Sequence, residues 1–345
     1  MADKRPLFLG TDCGATTSKI VAVYEDGTPV STKLLQRKTR SEGGRGAIVE
    51  GWVEAVGEYL AENDCTWDQV QTAGLATPGP YERYGVMAKS PNMPQSLAGF
   101  DVHSAYKAAI SQRVGREVPV VVGNDGNLGG VAEAARVRGD SDATVVMLAP
   151  GSGLGGAFID GNGLPLEGNT FGGGELGHLP APLNVLDAKP YLCGCGRDWG
   201  CFEVYTSLSG LPALLTERLE RHPDHPLASS PASPKDKALS LRGLAQQGDE
   251  LAMELFDFQA RALGICAATC AMAFDPKFFV IGGGLMDPES TSEAFRKRYL
   301  DTLTAAAMQY AWPSQRDKIH FVPAALGELS QAIGAALVGL YSRNL

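Results

Sequence analysis

The 345-residue sequence predicts an α/β protein made of two similar halves. Strand-length apolar runs alternate with longer stretches of helical periodicity. The order strand, polar glycine-containing turn, strand opens the chain near residue 7 and recurs near residue 144, which reads as a duplication. A hydrophobic content of 44% at this length suffices for two cores, with no apolar run of membrane-spanning length.

Residues 7–11, 20–24 and 30–36 read as strands, the last two joined at Glu25-Asp26-Gly27-Thr28, where Asp-Gly favours a hairpin turn. Residues 47–61 repeat apolar positions at helical spacing. A strand at 70–76, a helix at 102–114, a buried strand at 119–123 and a helix at 128–138 complete the first half. The second half opens with strands 144–148 and 155–160 about a glycine-rich turn. It continues to a long apolar helix at 251–273 and a strand at 278–281. Residues 222–237, rich in Pro, Ser and His, read as a surface loop or insertion without packed structure.

A net charge of −9 with no Lys/Arg-rich block leaves no electrostatic footprint for nucleic acid. The N-terminal residues lack a signal-peptide core, so the expected address is cytoplasmic, with no membrane partner. Of seven cysteines, Cys193, Cys195 and Cys201 fall within nine residues. That crowding argues for metal-bound thiolates in a reducing compartment instead of a disulfide framework, with Cys13, Cys65, Cys266 and Cys270 as core residues. With His178 upstream, the three thiols match the ligand set of a tetrahedral Cys₃His zinc site. Glu175 and Glu203 flank this cluster and are free for another task.

Three turns are candidates for holding phosphate. In Asp12-Cys13-Gly14-Ala15-Thr16-Thr17-Ser18-Lys19 a strand ends in a carboxylate and a turn of hydroxyls and backbone N–H groups. Such a turn can cradle phosphate oxygens while Asp12 holds Mg²⁺ through water; an ordinary polar hairpin turn is the alternative. Gly151-Ser152-Gly153 lies between two strands, a placement that argues against a dinucleotide-binding fingerprint, which needs a helix directly after the glycines. Gly282, Gly283 and Gly284 follow a strand and permit close backbone approach to a nucleotide. Asn124-Asp125 stands at the C-terminal end of the 119–123 strand, where open α/β sheets bind ligands. Asp125 is placed to take the proton of an acceptor hydroxyl, with Asn124 bonding a neighbouring hydroxyl. Either residue can instead cap the following helix.

Together these motifs, with Thr77-Pro78-Gly79-Pro80, the loop Pro91-Asn92-Met93-Pro94 and Gly248-Asp249, resemble the ROK family of bacterial sugar kinases and related repressors, from about residue 7 to the end. The resemblance implies a duplicated actin-like (ribonuclease-H-like) ATPase fold with two domains around a cleft. One domain would comprise residues 1–123 plus 329–345; the other, residues 124–328, would carry the zinc-binding loop. It implies Asp125 as base for the 6-hydroxyl of a hexose, with Asn92, Asn124, Glu175, His178 and Glu203 binding the other hydroxyls. The nucleotide would lie on Asp12, Gly14, Thr16, Thr17, Lys19, Gly151, Ser152, Gly153 and Gly282 to Gly284. His178, Cys193, Cys195 and Cys201 would hold structural zinc. The expected activity is transfer of the γ-phosphate of ATP, with Mg²⁺, to glucose. Alternatives are an N-acetylhexosamine, mannose, fructose or allose kinase, or a non-catalytic sugar sensor. Repressors of the family carry an N-terminal helix-turn-helix, for which a first strand at residue 7 leaves no room; a homodimer or tetramer is expected. Two positions depart from the family's pattern. Arg197-Asp198-Trp199 makes the cysteine loop one residue longer than the usual spacing, and Ala15 stands where a second glycine is common.

Overall fold

The computed structural model describes residues 5–14, 16–89 and 94–344. In chain order it contains β1 (Leu7–Cys13), β2 (Thr17–Val23), β3 (Leu35–Lys38), α1 (Gly44–Glu62), β4 (Val70–Thr77), a short hairpin of β5 (Tyr81–Arg83) and β6 (Val86–Met87), α2 (Val102–Val114), β7 (Val120–Asn124) and α3 (Asp125–Arg138). There follow β8 (Val145–Pro150), β9 (Leu154–Ile159), α4 (Leu183–Leu186), α5 (Phe202–Thr206), α6 (Leu211–Leu219), α7 (Pro226–Ser229), α8 (Pro234–Gln246) and α9 (Glu250–Phe274). The chain closes with β10 (Phe278–Ile281), α10 (Glu293–Tyr310), β11 (His320–Pro323) and α11 (Ser330–Tyr341).

The chain divides into two compact units. The first comprises Met1–Asp142, Ala157–Gly174 and Leu326–Leu345, the second Ala143–Gly156 and Glu175–Ala325. The first unit is built on a sheet of order β3-β2-β1-β4-β7, antiparallel among its first three strands and parallel from β1 through β4 to β7. The other sheet has the order β11-β10-β8-β9, with β8, β10 and β11 mutually parallel. Reversed, β9-β8-β10-β11 repeats β2-β1-β4-β7, so the duplication expected from the two strand-turn-strand openings is present in the topology.

Helix α11 lies on the first sheet at very short range. A Cβ on Gly10 of β1 would fall 1.8 Å from the Ala332 carbonyl oxygen, and one on Gly74 of β4 would fall 1.9 Å from that of Ala335. Backbone atoms cannot yield as side-chain tips do, so Gly74→Ala should destabilise by about 1–3 kcal/mol, read as a lower urea midpoint at unchanged slope. Beneath the sheet's other face, Trp52 of α1 meets Tyr106 of α2 edge to face at 6.1 Å, and the Tyr106 hydroxyl bonds Thr11 Oγ1 at 2.8 Å.

Three local readings change. The third strand begins at Leu35, later than periodicity predicts. Asp26 Oδ1 accepts the Thr28 N–H and Ser31 Oγ accepts the Lys33 N–H, so side chains compete with the ladder across this stretch. Residues 222–237, expected as unpacked loop, contain α7 and the start of α8. Their prolines and serines are helix-start signals: Pro234 opens α8, and the Ser233 hydroxyl caps it at Asp236 N. His225 caps α7 through Nδ1 and contacts Asp249 Oδ2 through Nε2 at 2.9 Å. The helix expected at 128–138 begins at Asp125 and groups with the first unit, although the boundary was expected at 123/124. It packs on α11, and the buried Glu133 carboxylate accepts the Leu326 N–H at 2.7 Å, fixing the chain where it returns to this unit. Among the described residues, no helix is long and apolar enough to cross a membrane.

Candidate functional site

In the first unit the site residues gather at the C-terminal ends of the parallel strands. Asp12 of β1 is level with Ala76 of β4, and Ala76 with Gly123 of β7, so Asn124 and Asp125 continue from the edge where β1 presents Asp12. Lys19 pairs with Asp12 across the β1–β2 ladder; its Nζ lies 3.9 Å from Asp12 Oδ2 and 3.6 Å from Glu328 Oε2. Burial pushes the Asp12 carboxyl up to about 6, against the pull of Lys19 and with a further push from the negative charges of Asp125 and Glu328. The turn before β2 is closed by Gly14 N–H to Thr17 O at 2.9 Å. Thr39 secures it by donating its N–H to Thr16 O and its hydroxyl to Gly14 O, while Thr16 stays exposed.

The choice of helix cap falls on Asn124. Its Oδ1 accepts the N–H groups of Gly126 at 2.9 Å and Asn127 at 3.2 Å. Asn124 is thus the cap, while Asp125 Oδ1 shares only the Gly126 N–H with it, and the amide nitrogen of Asn124 remains to meet a hydroxyl. The Asp125 carboxyl is raised above its ordinary 3.8 by burial, opposed by hydrogen bonds from backbone N–H groups that include Gly126 at 2.7 Å. The start of α3 adds a dipole that favours the ionised form. Sequence reasoning missed two neighbours. The Glu167 Oε1 lies 3.1 Å from where a Cβ on Gly123 would stand, and burial raises its carboxyl too. Tyr81, bonded to Thr77 Oγ1, has its phenol raised by burial, with Glu167 and Asp125 among the charges acting on it. Thr77-Pro78-Gly79-Pro80 was the one available signal for this corner. Asn92 lies outside the described residues.

In the second unit two of the three glycine turns meet. Gly151, Ser152 and Gly153 form the β8–β9 turn, held by Leu208 N–H to Gly151 O at 2.9 Å and Ser209 N–H to Ser152 O at 3.0 Å. Gly283, at φ +80°, passes so close that a Cβ would fall 1.9 Å from Pro150 O. Gly151 and Gly284 thereby line one cavity of about 170 Å³, walled by Leu211, Leu239, Arg242 and Phe256.

The cysteine loop converges as its spacing predicts. The donor atoms of His178, Cys193, Cys195 and Cys201 all lie within 4.8 Å of one another. Cys195 Sγ to Cys201 Sγ is 3.8 Å and Cys193 Sγ to His178 Nδ1 is 3.6 Å. A tetrahedron with metal–sulfur bonds of about 2.3 Å has edges of about 3.8 Å, so the donor set fits zinc in number, type and size. The Cys193 N–H to Arg197 O bond and the Gly196 N–H to Cys193 O bond fold a tight turn under the first two thiols. Ala181 N–H to Gly200 O and Phe202 N–H to Leu179 O tie the chain after His178 to Cys201. The added residue is absorbed at the surface, where Trp199 is 50% exposed.

The flanking glutamates differ in role. Glu175 is largely exposed, with Oε2 3.9 Å from His178 Nε2, so the imidazole turns Nδ1 to the sulfurs and Nε2 toward this carboxylate. Glu203, in the first turn of α5, accepts the Leu154 N–H through Oε2 at 3.1 Å and stands 3.4 Å from Cys193 Sγ through Oε1. A Cβ on Gly153 would fall 2.4 Å from Glu203 Oε2, so that glycine makes room for the carboxylate. Glu203 thus joins the glycine turn to the cysteine cluster, a link across 49 residues that no local motif announces.

Two sheets of matching strand order, with an acidic pair at the C-terminal strand ends of one unit and paired glycine turns in the other, define a protein of the actin-like, two-domain ATPase fold. The chain belongs to the ROK family, whose model matches residues 8–340. It is 28% identical to a glucokinase of Thermotoga maritima over 96% of each chain. It is also 28% identical to an N-acetyl-D-glucosamine kinase of Escherichia coli O6:H1, over 81% of this chain and 84% of that one. Among solved structures, a ROK family glucokinase from Streptomyces griseus in complex with glucose and AMPPNP aligns over 96% of this chain and 99% of its own, with 26% identity and a TM-score of 0.65.

Proposed function

We propose that this protein is an ATP-dependent sugar kinase that transfers the γ-phosphate to the 6-hydroxyl of a hexose, glucose foremost. The observation that carries the reading is Asp125: a carboxylate just past the end of β7, with the helix cap supplied by Asn124, and raised above its ordinary 3.8 by burial, a shift in the direction a base requires. Asp125 accepts the hydroxyl proton as that oxygen attacks phosphorus, and the Asn124 amide orients a neighbouring hydroxyl. Glu175, His178 and Glu203 serve as further sugar contacts, Glu203 with Oε2 also held by the Leu154 N–H and Oε1 beside Cys193 Sγ. The cavity at Gly151 and Gly284 suits the nucleoside, whose apolar base needs walls such as Leu211 and Phe256. Thr16, Thr17 and Lys19 are assigned to phosphate oxygens. Magnesium, when bound with the nucleotide, neutralises phosphate charge; the fit lies in the mutually repelling Asp12 and Asp125, which a cation relieves, and Asp12 would hold it through water. His178, Cys193, Cys195 and Cys201 would hold zinc with no open position, so its contribution is to cross-link the loop.

The glucokinase and N-acetylglucosamine kinase relatives support a hexose acceptor and frame the choice between sugars. A coupled assay with ATP on glucose, mannose, fructose, allose, N-acetylglucosamine and N-acetylmannosamine tests it. The expected result is the highest kcat/KM on glucose. A higher value on an N-acetylhexosamine would replace glucose as the substrate. Saturable sugar binding with no turnover on any member would make the protein a sensor.

A further inference from the structure

The stretch Arg197-Asp198-Trp199, by which the cysteine loop exceeds its expected spacing, supplies the cluster with two hydrogen-bond donors. Trp199 Nε1–H donates to Cys201 Sγ at 3.1 Å and Arg197 Nη1–H to Cys195 Sγ at 3.5 Å. The guanidinium also lies over the indole, 5.4 Å from the ring centroid, so the two side chains brace each other. Burial does not explain this arrangement. Trp199 is 50% exposed and Arg197 is exposed, so both N–H groups could face water, yet they turn to sulfur.

We propose that Trp199 and Arg197 are positioning residues for the metal centre, holding the Cys201 and Cys195 thiolates on the metal and slowing its loss. An N–H donor draws charge from a thiolate without displacing it from a cation, which makes the sulfur less available to a proton or an electrophile. Charge balance points the same way. A divalent ion with three thiolates and a neutral imidazole carries one net negative charge, which the Arg197 guanidinium compensates at the exposed Cys195. This inference rests on the zinc reading of the cluster.

The test compares the holoprotein with Trp199→Phe, which keeps the ring and removes the donor, and with Arg197→Met and Arg197→Lys. Metal content is measured by mass spectrometry and metal transfer by a chromophoric chelator in excess. The expected result is one zinc per wild-type chain, with release at least about tenfold faster from Trp199→Phe and Arg197→Met and nearer wild type in Arg197→Lys. In the cobalt-substituted protein, Trp199→Phe should move the thiolate-to-metal charge-transfer band to longer wavelength. Wild-type release rates in both the Trp199→Phe and Arg197→Met proteins, with an unmoved band, would overturn the proposal while leaving the zinc site in place. An active wild-type enzyme without bound metal would overturn the zinc reading and the proposal together. Arg197 lies on the surface, so its variants report on the sulfur contact even if Trp199→Phe folds poorly.

Discussion

Asp125→Asn is expected to lower kcat on the preferred hexose by about 10²–10⁴-fold while sugar affinity, measured by calorimetry, stays within a few-fold of wild type. The substitution keeps the shape of the side chain and an oxygen for the Gly126 N–H, and α3 keeps its cap because Asn124 supplies it. What disappears is the ability to take a proton. The pH dependence of the wild type follows from the same residue. Burial raises the Asp125 carboxyl above 3.8, so kcat/KM should climb as pH rises through that higher value and fall away on the acid side. Stability should run the opposite way in this window. The unfolded chain releases these protons near 3.8 and the folded one later, with Asp12 at about 6, so the folded state binds more protons between the two values. The contribution of neutral Asp12 is present below 3.8 and is lost as pH rises through about 6, and that of Asp125 is lost in the same direction. An Asp125→Asn protein with near wild-type turnover would remove Asp125 as base.

Cys201→Ser is expected to abolish stoichiometric metal binding and to raise the KM for sugar by about 10–100-fold, with a lower Tm. Cys201 is fully buried at the head of α5, the helix whose first turn carries Glu203. Its sulfur stands 3.8 Å from that of Cys195, and Cys193 and His178 complete the set. Removing one donor frees the 193–201 turn and the His178 ring together and loosens the helix that positions Glu203. Dialysis of the wild type against a strong chelator should reproduce the effect, and zinc should reverse it. If less than about half a zinc per chain accompanied full activity, and chelation changed nothing, the cluster would have no role in this site.

Much of this site is legible residue by residue because its information is local. Asp12 follows an apolar strand, Asn124 and Asp125 follow another, and three thiols crowd one loop. Each pattern places a functional group at a strand end or in a tight turn without reference to distant partners. The readings that changed depend on partners. Asn124 and Asp125 were equal candidates for the cap, and the actual entry of the chain into α3 gave the role to Asn124. Glu203 read as a free sugar ligand, yet one of its oxygens serves Leu154, 49 residues away. Glu167 and Tyr81 carried no motif of their own and come to the Asp125 corner through the chain after β9 and the β5–β6 hairpin.

The duplicated α/β order, the acidic strand end, the glycine turns and the crowding of three thiols downstream of His178 are all legible in the chain alone. These depend on periodicity and short spacing, which the covalent chain imposes directly. Tertiary structure alone decided which glycines are needed for close approach, as at Gly10, Gly74, Gly153 and Gly283, and which carboxylates lose their water. Close approach and desolvation belong to surfaces brought together from far apart in the chain, and apolar periodicity specifies that a face is covered without specifying what covers it.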